Sequence, residues 1–471
     1  MGVWEETVMA AAPGAFDRRD GRLYIEDCPI EELAERYGTP LHVISEAALR
    51  ARAREFQAAF GSAWSHGPVT LLPAVKANYA VALHRILAQE GCGADLFGPG
   101  ELEVAVRAGI PPALISLNGT AKDAATIRRA VELGARITLD SVREVELARE
   151  AAQACGKRAE VRVRVRPLVS SEAGSEPYGG MPQREVFGRY KPGIPWEDLD
   201  AAGAALQAPE LDLSGVHMHF GRHTIDLDEF GHVIDRYAEA IAELRERWDG
   251  WEPRTIDIGG GIAHHADPHG RGGIATPPER EYPTVALYAQ ALCGRLAEGL
   301  ERAGVDPAGR ALEIEPGRSL FGPVGVHLSS VLASKRQESP FQHAWMELDT
   351  SQTHLPDIVL ERCRYPIAID GEDPDAPREP YDVVGVNCSS DVLAHGERLP
   401  ALAPGALVAF GLTGAYQDAG ATNFNVLPRA AMVLVHGADS DVIKARETID
   451  DVLARDVVPS HLQSPVSGAP A

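Results

Sequence analysis

Residues 94–167 read ADLFGPGELEVAVRAGIPPALISLNGTAKDAATIRRAVELGARITLDSVREVELAREAAQACGKRAEVRVRVRP. Four short β-branched or apolar runs stand out: ADLFG (94–98), LISLNG (114–119), RITLDS (136–141) and AEVRVRVRP (159–167). Between them GELEVAVRAG, AKDAATIRRAVELG and SVREVELAREAAQACG carry apolar residues at helical spacing. Strands that alternate with amphipathic helices imply a parallel sheet covered by helices. Working outward, TLLPAVKA (70–77) precedes this block, and LSGVHMHFG (213–221), TIDIGGG (255–261) and ALEIEPG (311–317) follow it. The helical segment DEFGHVIDRYAEAIAELRERW places Val233, Ile234, Tyr237, Ile241 and Leu244 on one face. Eight βα units predict an α/β fold built on a (β/α)8 barrel; a doubly wound open sheet is the alternative, and the count of eight favours closure.

Beyond about residue 320 the pattern changes to short alternating runs such as GVHLSSVLASK, AWMELDT, YDVVGVNCSS and RAAMVLVHG, separated by turn-rich stretches. This predicts a C-terminal β-rich domain. RLYIED (22–27) and PLHVIS (40–45) also read as strands and are expected to join it. The expected division is 1–45 N-terminal strands, 46–318 barrel, 319–456 β domain and 457–471 disordered tail. Pro/Gly-rich loops at about 170–195 and 264–283 are of a length that is usually functional or mobile.

The 471 residues carry 45 Lys+Arg against 68 Asp+Glu, a net charge of −23. A nucleic-acid partner recruited by net charge is disfavoured, because phosphate neutralisation needs a basic surface. No apolar run approaches the roughly 20 residues that span a bilayer. The acidic N-terminal stretch is unlike a secretory signal, so no membrane association is expected and the cytoplasm is the expected address. The six cysteines contain no CxxC pair and are too sparse for a disulfide scaffold; reduced thiols and no metal site are expected.

In a barrel, chemistry sits where strands end and loops begin. Lys76, near the end of a strand, is expected to be desolvated with a lowered pKa, suited to a Schiff base; a lysine that merely reaches solvent is the alternative. Gly259, Gly260 and Gly261 can let backbone N–H groups approach a phosphate, or make a tight turn. Glu315 and Arg318 flank the Pro316–Gly317 turn after the eighth strand, as an anion site or as a mutual salt bridge. His217 and His219 share a strand face, where chelation is conceivable and a structural role more usual; His264, His265 and His269 are expected to be solvated. Cys388 and Asp391 end a β-domain strand, where the thiol is a proton donor or a core residue.

Taken in series, AVKAN, GGG, EPGR and the late cysteine resemble the fold-type III pyridoxal-phosphate decarboxylases that act on diaminopimelate, ornithine and arginine; the likeness covers about 40–455. The resemblance implies pyridoxal 5'-phosphate (PLP) as cofactor, held by Lys76 as a Schiff base. It implies that Gly259, Gly260, Gly261, Gly317 and the backbone near Arg318 cradle the phosphate, with Tyr416 touching it. Glu315 would pair with the pyridine nitrogen, where alanine-type racemases use arginine, and His219 would stack on the ring. Arg164 and Asp95 would support the site. Cys388 of a partner subunit would protonate the product carbanion, with Ser389 and Asp391 at the substrate end. The family assembles as a head-to-tail homodimer with shared active sites.

The chain also departs from the family. Arg222 stands where a serine is usual, Gly98 replaces another serine, and Arg166 an asparagine. Ser389 follows Cys388 where diaminopimelate decarboxylases have Glu and ornithine decarboxylases Asp, and ELDTSQTHLPDIVLERCRYPI lacks the usual asparagine- and arginine-rich substrate loop. The expectation is a decarboxylase of a small amino-acid substrate other than the standard meso-diaminopimelate. Alternatives are a substrate tethered to a carrier protein (met by Arg184, Arg189 and Lys191) or within a siderophore precursor, an amino-acid racemase, and a non-catalytic regulator.

Overall fold

The structure, a computed structural model, describes residues 4–166, 191–221, 224–264 and 282–462. Strands β1 (Phe16–Arg19), β2 (Arg22–Ile25) and β3 (Cys28–Pro29) form a small antiparallel sheet, and β4 (Leu41–Ser45) follows. The barrel strands are β5 (Val69–Leu71), β6 (Ala94–Leu96), β7 (Ile115–Leu117), β8 (Arg136–Leu139), β9 (Ala159–Arg164), β10 (Leu211–His217), β11 (Thr255–Asp257) and β12 (Ala311–Ile314). They pair in parallel in the order β5-β12-β11-β10-β9-β8-β7-β6. The ring closes because Gly93 N–H donates to Leu71 O (2.9 Å) and Asp95 N–H to Pro73 O (3.1 Å), with a bridge between Ala74 and Asp95. The eight strands expected from the alternation are the eight strands of the barrel.

Local sequence explains the intervening helices. Asp123 caps Ala124–Leu133 by accepting from Thr126 N–H, and Ser141 caps Val142–Cys155 by accepting from Glu144 N–H. The first of these ends at Gly134 in the left-handed conformation, φ +82°. On β9 the alternation RVR turns Val161 and Val163 towards the helices and Arg162 and Arg164 into the barrel. Arg162, fully buried, is neutralised there by Glu313 and by Asp257 (3.1 Å), which gives the barrel a charged, paired layer beneath its mouth.

The second domain is built from β13 (Gly325–Gln337), β14 (His343–Leu348), β15 (Ile367–Ile369), β16 (Arg378–Val384), β17 (Val392–Pro400), β18 (Leu407–Phe410), β19 (Ala431–His436) and β20 (Asp439–Lys444). Its main path runs β17-β16-β14-β13-β4-β19-β20. PLHVIS thus supplies a fully buried central strand, β4, antiparallel to β13 and parallel to β19. RLYIED behaves differently. Its strand pairs only within the small β1-β2-β3 sheet, tied to the β domain by Leu23 N–H donating to Asp370 (2.7 Å). Near the C-terminus a helix spans Ile449–Leu453 and a 3-10 turn Ser460–Leu462. Arg184, Arg189, Arg222, His265, His269 and the last nine residues lie outside the described residues. His264 is buried over Gly322, not solvated as its loop composition suggested. Among the described residues, no helix is long and apolar enough to cross a membrane.

Candidate active site

A cavity of about 640 Å³ opens at the C-terminal ends of the barrel strands. Lys76 reaches it from a 3-10 turn, Val75–Ala77, just past β5 rather than from the strand itself. The turn is pinned by the second domain: Tyr416 N–H donates to Ala77 O (2.6 Å) and Asn78 Nδ2 to Gly414 O (2.9 Å). Although walls surround Lys76, 44% of its side-chain surface faces the open cavity. Its Nζ lies 2.7 Å from Asp95 Oδ2.

That pairing reverses the lowered lysine pKa expected from burial. Burial does push against the ammonium, but the Asp95 carboxylate, with Tyr416 and Glu315 adding to it, outweighs burial and raises the pKa. Burial likewise pushes Asp95 up, and Lys76 brings it below its ordinary value. Asn118 Nδ2 joins this pair to Glu315, donating to Asp95 Oδ1 (2.9 Å) and touching Glu315 Oε1. His217 Nε2 lies 3.2 Å from Glu315 Oε2. Burial, then the Asp95 charge, raises the Glu315 pKa; burial, then the Glu315 charge, raises that of Asp257. Burial drives His217 and His219 down to about 3, so both rings are neutral near pH 7. His217, Asp257 and Glu315 offer ligand atoms within 4.8 Å of one another. The cluster already hydrogen-bonds internally and borders the Arg162 guanidinium, an arrangement that serves Glu315 better than a cation.

The glycine turn forms another wall. Gly259 and Gly261 have φ of +68° and +88°, where only glycine is unstrained, and a Cβ on Gly260 would collide with the Glu315 carbonyl. Gly260 N–H donates to His219 Nδ1 (3.2 Å), which fixes that ring at the cavity. A Cβ on Gly317 would sit 3.0 Å from Tyr416 Oη. The Arg318 guanidinium carbon lies 4.5 Å from the centre of the Tyr416 ring, and its nitrogen pairs with Asp357. Arg164 Nη1 donates to Asn118 O (3.2 Å) and also lines the cavity.

Lys76, Asp95, Arg164, His219, Gly261, Glu315, Gly317, Arg318 and Tyr416 therefore meet at one cavity, with Gly259 and Gly260 in its supporting turn. The β-domain residues do not join them. Cys388 is exposed on the loop after β16, its N–H donating to Asn425 Oδ1 (2.8 Å), and Ser389 Oγ is turned to Asn387 Oδ1 (2.5 Å). Asp391 is buried and accepts from Gln352 N–H (2.8 Å), Asn387 N–H (2.9 Å) and Ser351 Oγ (3.2 Å). Its carboxylate is consumed in shaping the Cys388 loop, which corrects the expectation that it lines the substrate end. Lys191, a candidate carrier contact, sits 5.9 Å over the Phe97 ring.

Sequence reading missed Asn118, Asp257, Asp357 and Glu361 and gave His217 only a structural or chelating role. The inward alternation of SLN and TID offered a signal for the first two. Asp357 and Glu361 follow one turn apart in LPDIVLE, where nothing local marks them as cavity residues.

The donor set fits PLP: a lysine amine for the aldehyde, a glycine turn without room for Cβ atoms for the phosphate, and a buried carboxylate for the ring nitrogen. Comparison with known proteins agrees. Residues 46–322 match the family model described as pyridoxal-dependent decarboxylase, pyridoxal binding domain. A diaminopimelate decarboxylase of Zymomonas mobilis is 32% identical over 93% of this chain and 97% of its own length. One from Archaeoglobus fulgidus is 30% identical over 95% and 100%. The crystal structure of diaminopimelate decarboxylase from M. jannaschii superposes with a TM-score of 0.86 at 27% identity, covering 96% of this chain and all of that one. Barrel, β domain, glycine turn and matched sequence together make this chain a member of the pyridoxal-dependent decarboxylase family, a PLP-dependent carboxy-lyase of the fold that diaminopimelate decarboxylases share.

Proposed function

We propose that this enzyme removes the α-carboxylate of an amino acid that has no free carboxylate at its distal end, and so is not a standard meso-diaminopimelate decarboxylase. The observation that carries this reading is the Arg318–Asp357 ion pair at the cavity wall, since a guanidinium already neutralised by a carboxylate is a poor receptor for a substrate's second carboxylate.

Bound PLP supplies an aldehyde and a protonated ring that accepts the electron pair left when carbon dioxide departs. Lys76 is the residue that would hold that aldehyde, with its amine kept in place by Asp95. Glu315, hydrogen-bonded by Asn118 and His217, is placed to keep a proton on the ring nitrogen, because a nearby anion favours the charged form. The backbone N–H groups of Gly259–Gly261 and Gly317, with Tyr416, suit the phosphate, and neutral His219 suits the ring face. Arg164 supports the site through Asn118. Cys388, exposed and not among the residues that line its own chain's cavity, is assigned as the acid that protonates the substrate Cα in the active site of a second copy, with Ser389 beside it. A homodimer with shared sites is part of this reading, and the cytoplasm its setting.

The test is a panel of carboxyl-labelled amino acids scored for released carbon dioxide. Release from an amino acid without a distal carboxylate, exceeding release from meso-diaminopimelate, is expected. Preferential turnover of meso-diaminopimelate would contradict the substrate assignment.

A further inference from the structure

We propose that His343, Asp382 and His395, on one face of the β-domain sheet, form a binding site for a divalent transition-metal ion, best matched by Zn2+. None of the three lines the barrel cavity, and the site does not depend on the reaction assigned there.

Three neighbouring strands bring these residues together. β14 pairs in parallel with β16, with Trp345 opposite Asp382, and His343 lies two residues before Trp345 and therefore on the same face. β16 pairs antiparallel with β17, and there the register slips: Tyr381 faces Glu397 while Val383 faces Ala394. Asp382 is thus opposed by two residues, His395 and Gly396, in a β-bulge where Gly396 takes φ +60°. The bulge turns both towards one carboxylate. Gly396 N–H donates to Asp382 Oδ1 (2.9 Å), while the His395 ring meets Oδ2. In sequence the three residues lie 39 and 13 positions apart, so no short ligand motif marks them.

The distances suit a shared cation. Asp382 Oδ2 lies 3.1 Å from His343 Nε2 and 3.4 Å from His395 Nδ1. Ligand atoms held about 2.0–2.1 Å from a tetrahedral Zn2+ stand roughly 3.4 Å apart, so both nitrogen–oxygen edges are close to the length the ion requires. The third edge, between the two rings, closes when His395, whose side chain is 56% exposed, swings towards His343. The other two ligands are held in place. The bulge fixes Asp382 through its second oxygen, and the Trp345 ring packs on His343 with centres 4.5 Å apart. Two imidazoles and a carboxylate, with water in the fourth place, are a zinc donor set. The loop 385–391, which carries Cys388, joins β16 to β17, so an ion on Asp382 and His395 would clip these strands just before and just after it.

The test adds zinc chloride and, separately, copper(II) chloride to PLP-loaded enzyme stripped of metal. Titration calorimetry should record one tightly bound Zn2+ per chain, weakened at least about tenfold in H343Q and in H395Q. The melting temperature should rise with Zn2+ in the unmodified enzyme and not in these variants. Cu2+ should quench the fluorescence of Trp345, and W345F should bind the ion while losing most of that quenching. Zn2+ should also shield His343 and His395 of the unmodified enzyme from diethyl pyrocarbonate, read by peptide mass mapping, a measurement that needs no variant. Absence of Zn2+ binding, binding that persists unweakened in both histidine variants, quenching undiminished in W345F, or unshielded His343 and His395 in Zn2+-saturated enzyme would each overturn the inference.

Discussion

The Asn118 side-chain amide stands between two carboxylates, 2.9 Å from Asp95 and in contact with Glu315. It thereby links the group that holds Lys76 to the carboxylate that follows β12. Its own Oδ1 accepts from Thr138 Oγ1 and Ser116 Oγ, so the amide cannot turn without losing bonds on both sides. Asn118→Leu leaves two buried carboxylates without their shared donor, at about 1–3 kcal/mol per unsatisfied group. The expected outcome is weaker PLP binding and an altered pH dependence of cofactor absorbance, measured by titration against the unmodified protein.

Gly260→Ala is expected to lower PLP affinity by tenfold or more. The new Cβ meets the Glu315 carbonyl, which is backbone and cannot swing away, so the turn and the Glu315 segment must separate. Equilibrium dialysis of PLP against the variant, with circular dichroism to verify folding, checks this.

Asp391→Ala should slow turnover by about tenfold or more while leaving PLP binding unchanged. The variant removes acceptors for Gln352, Asn387 and Ser351, and with them the support of the loop that carries Cys388. Steady-state kinetics beside cofactor titration separates this outcome from a general loss of structure.

Stability should fall with acidification. His84 is fully buried, its Nε2 2.8 Å from Asn78 O; burial, only partly opposed by that bond, lowers its pKa from 6.5 to about 4. Between these values the unfolded chain binds the proton and the folded chain does not, so stability rises with pH across the window and is lost as pH falls. One such group contributes a slope of up to about 1.4 kcal/mol per pH unit. His84→Gln, whose amide can still donate to Asn78, should flatten the pH dependence of denaturant unfolding between pH 4 and 6.5 by up to that amount.

The barrel and most of the cavity were legible in the sequence because both are local. A βα alternation repeats within about forty residues, and Lys76, Gly259–Gly261, Glu315 and Arg318 all fall at strand ends. What escaped was non-local. The direction of the Lys76 pKa depends on Asp95, brought beside it only when β5 and β6 close the ring. β4 is inserted between two strands nearly three hundred residues further along the chain or more. Asp391 reads as a substrate residue from its place beside Cys388, but three donors from within its own domain claim its carboxylate. RLYIED has the composition of a β-domain strand, yet its turn closes it into a separate sheet.

The central claim is that Lys76 grips the cofactor covalently, and borohydride reduction of the holoenzyme followed by peptide mass mapping tests it most directly. The account predicts a phosphopyridoxyl group on the peptide containing Lys76 and none in Lys76→Ala. Modification of a different lysine in the unmodified enzyme, or retention of reducible cofactor by Lys76→Ala, would contradict it.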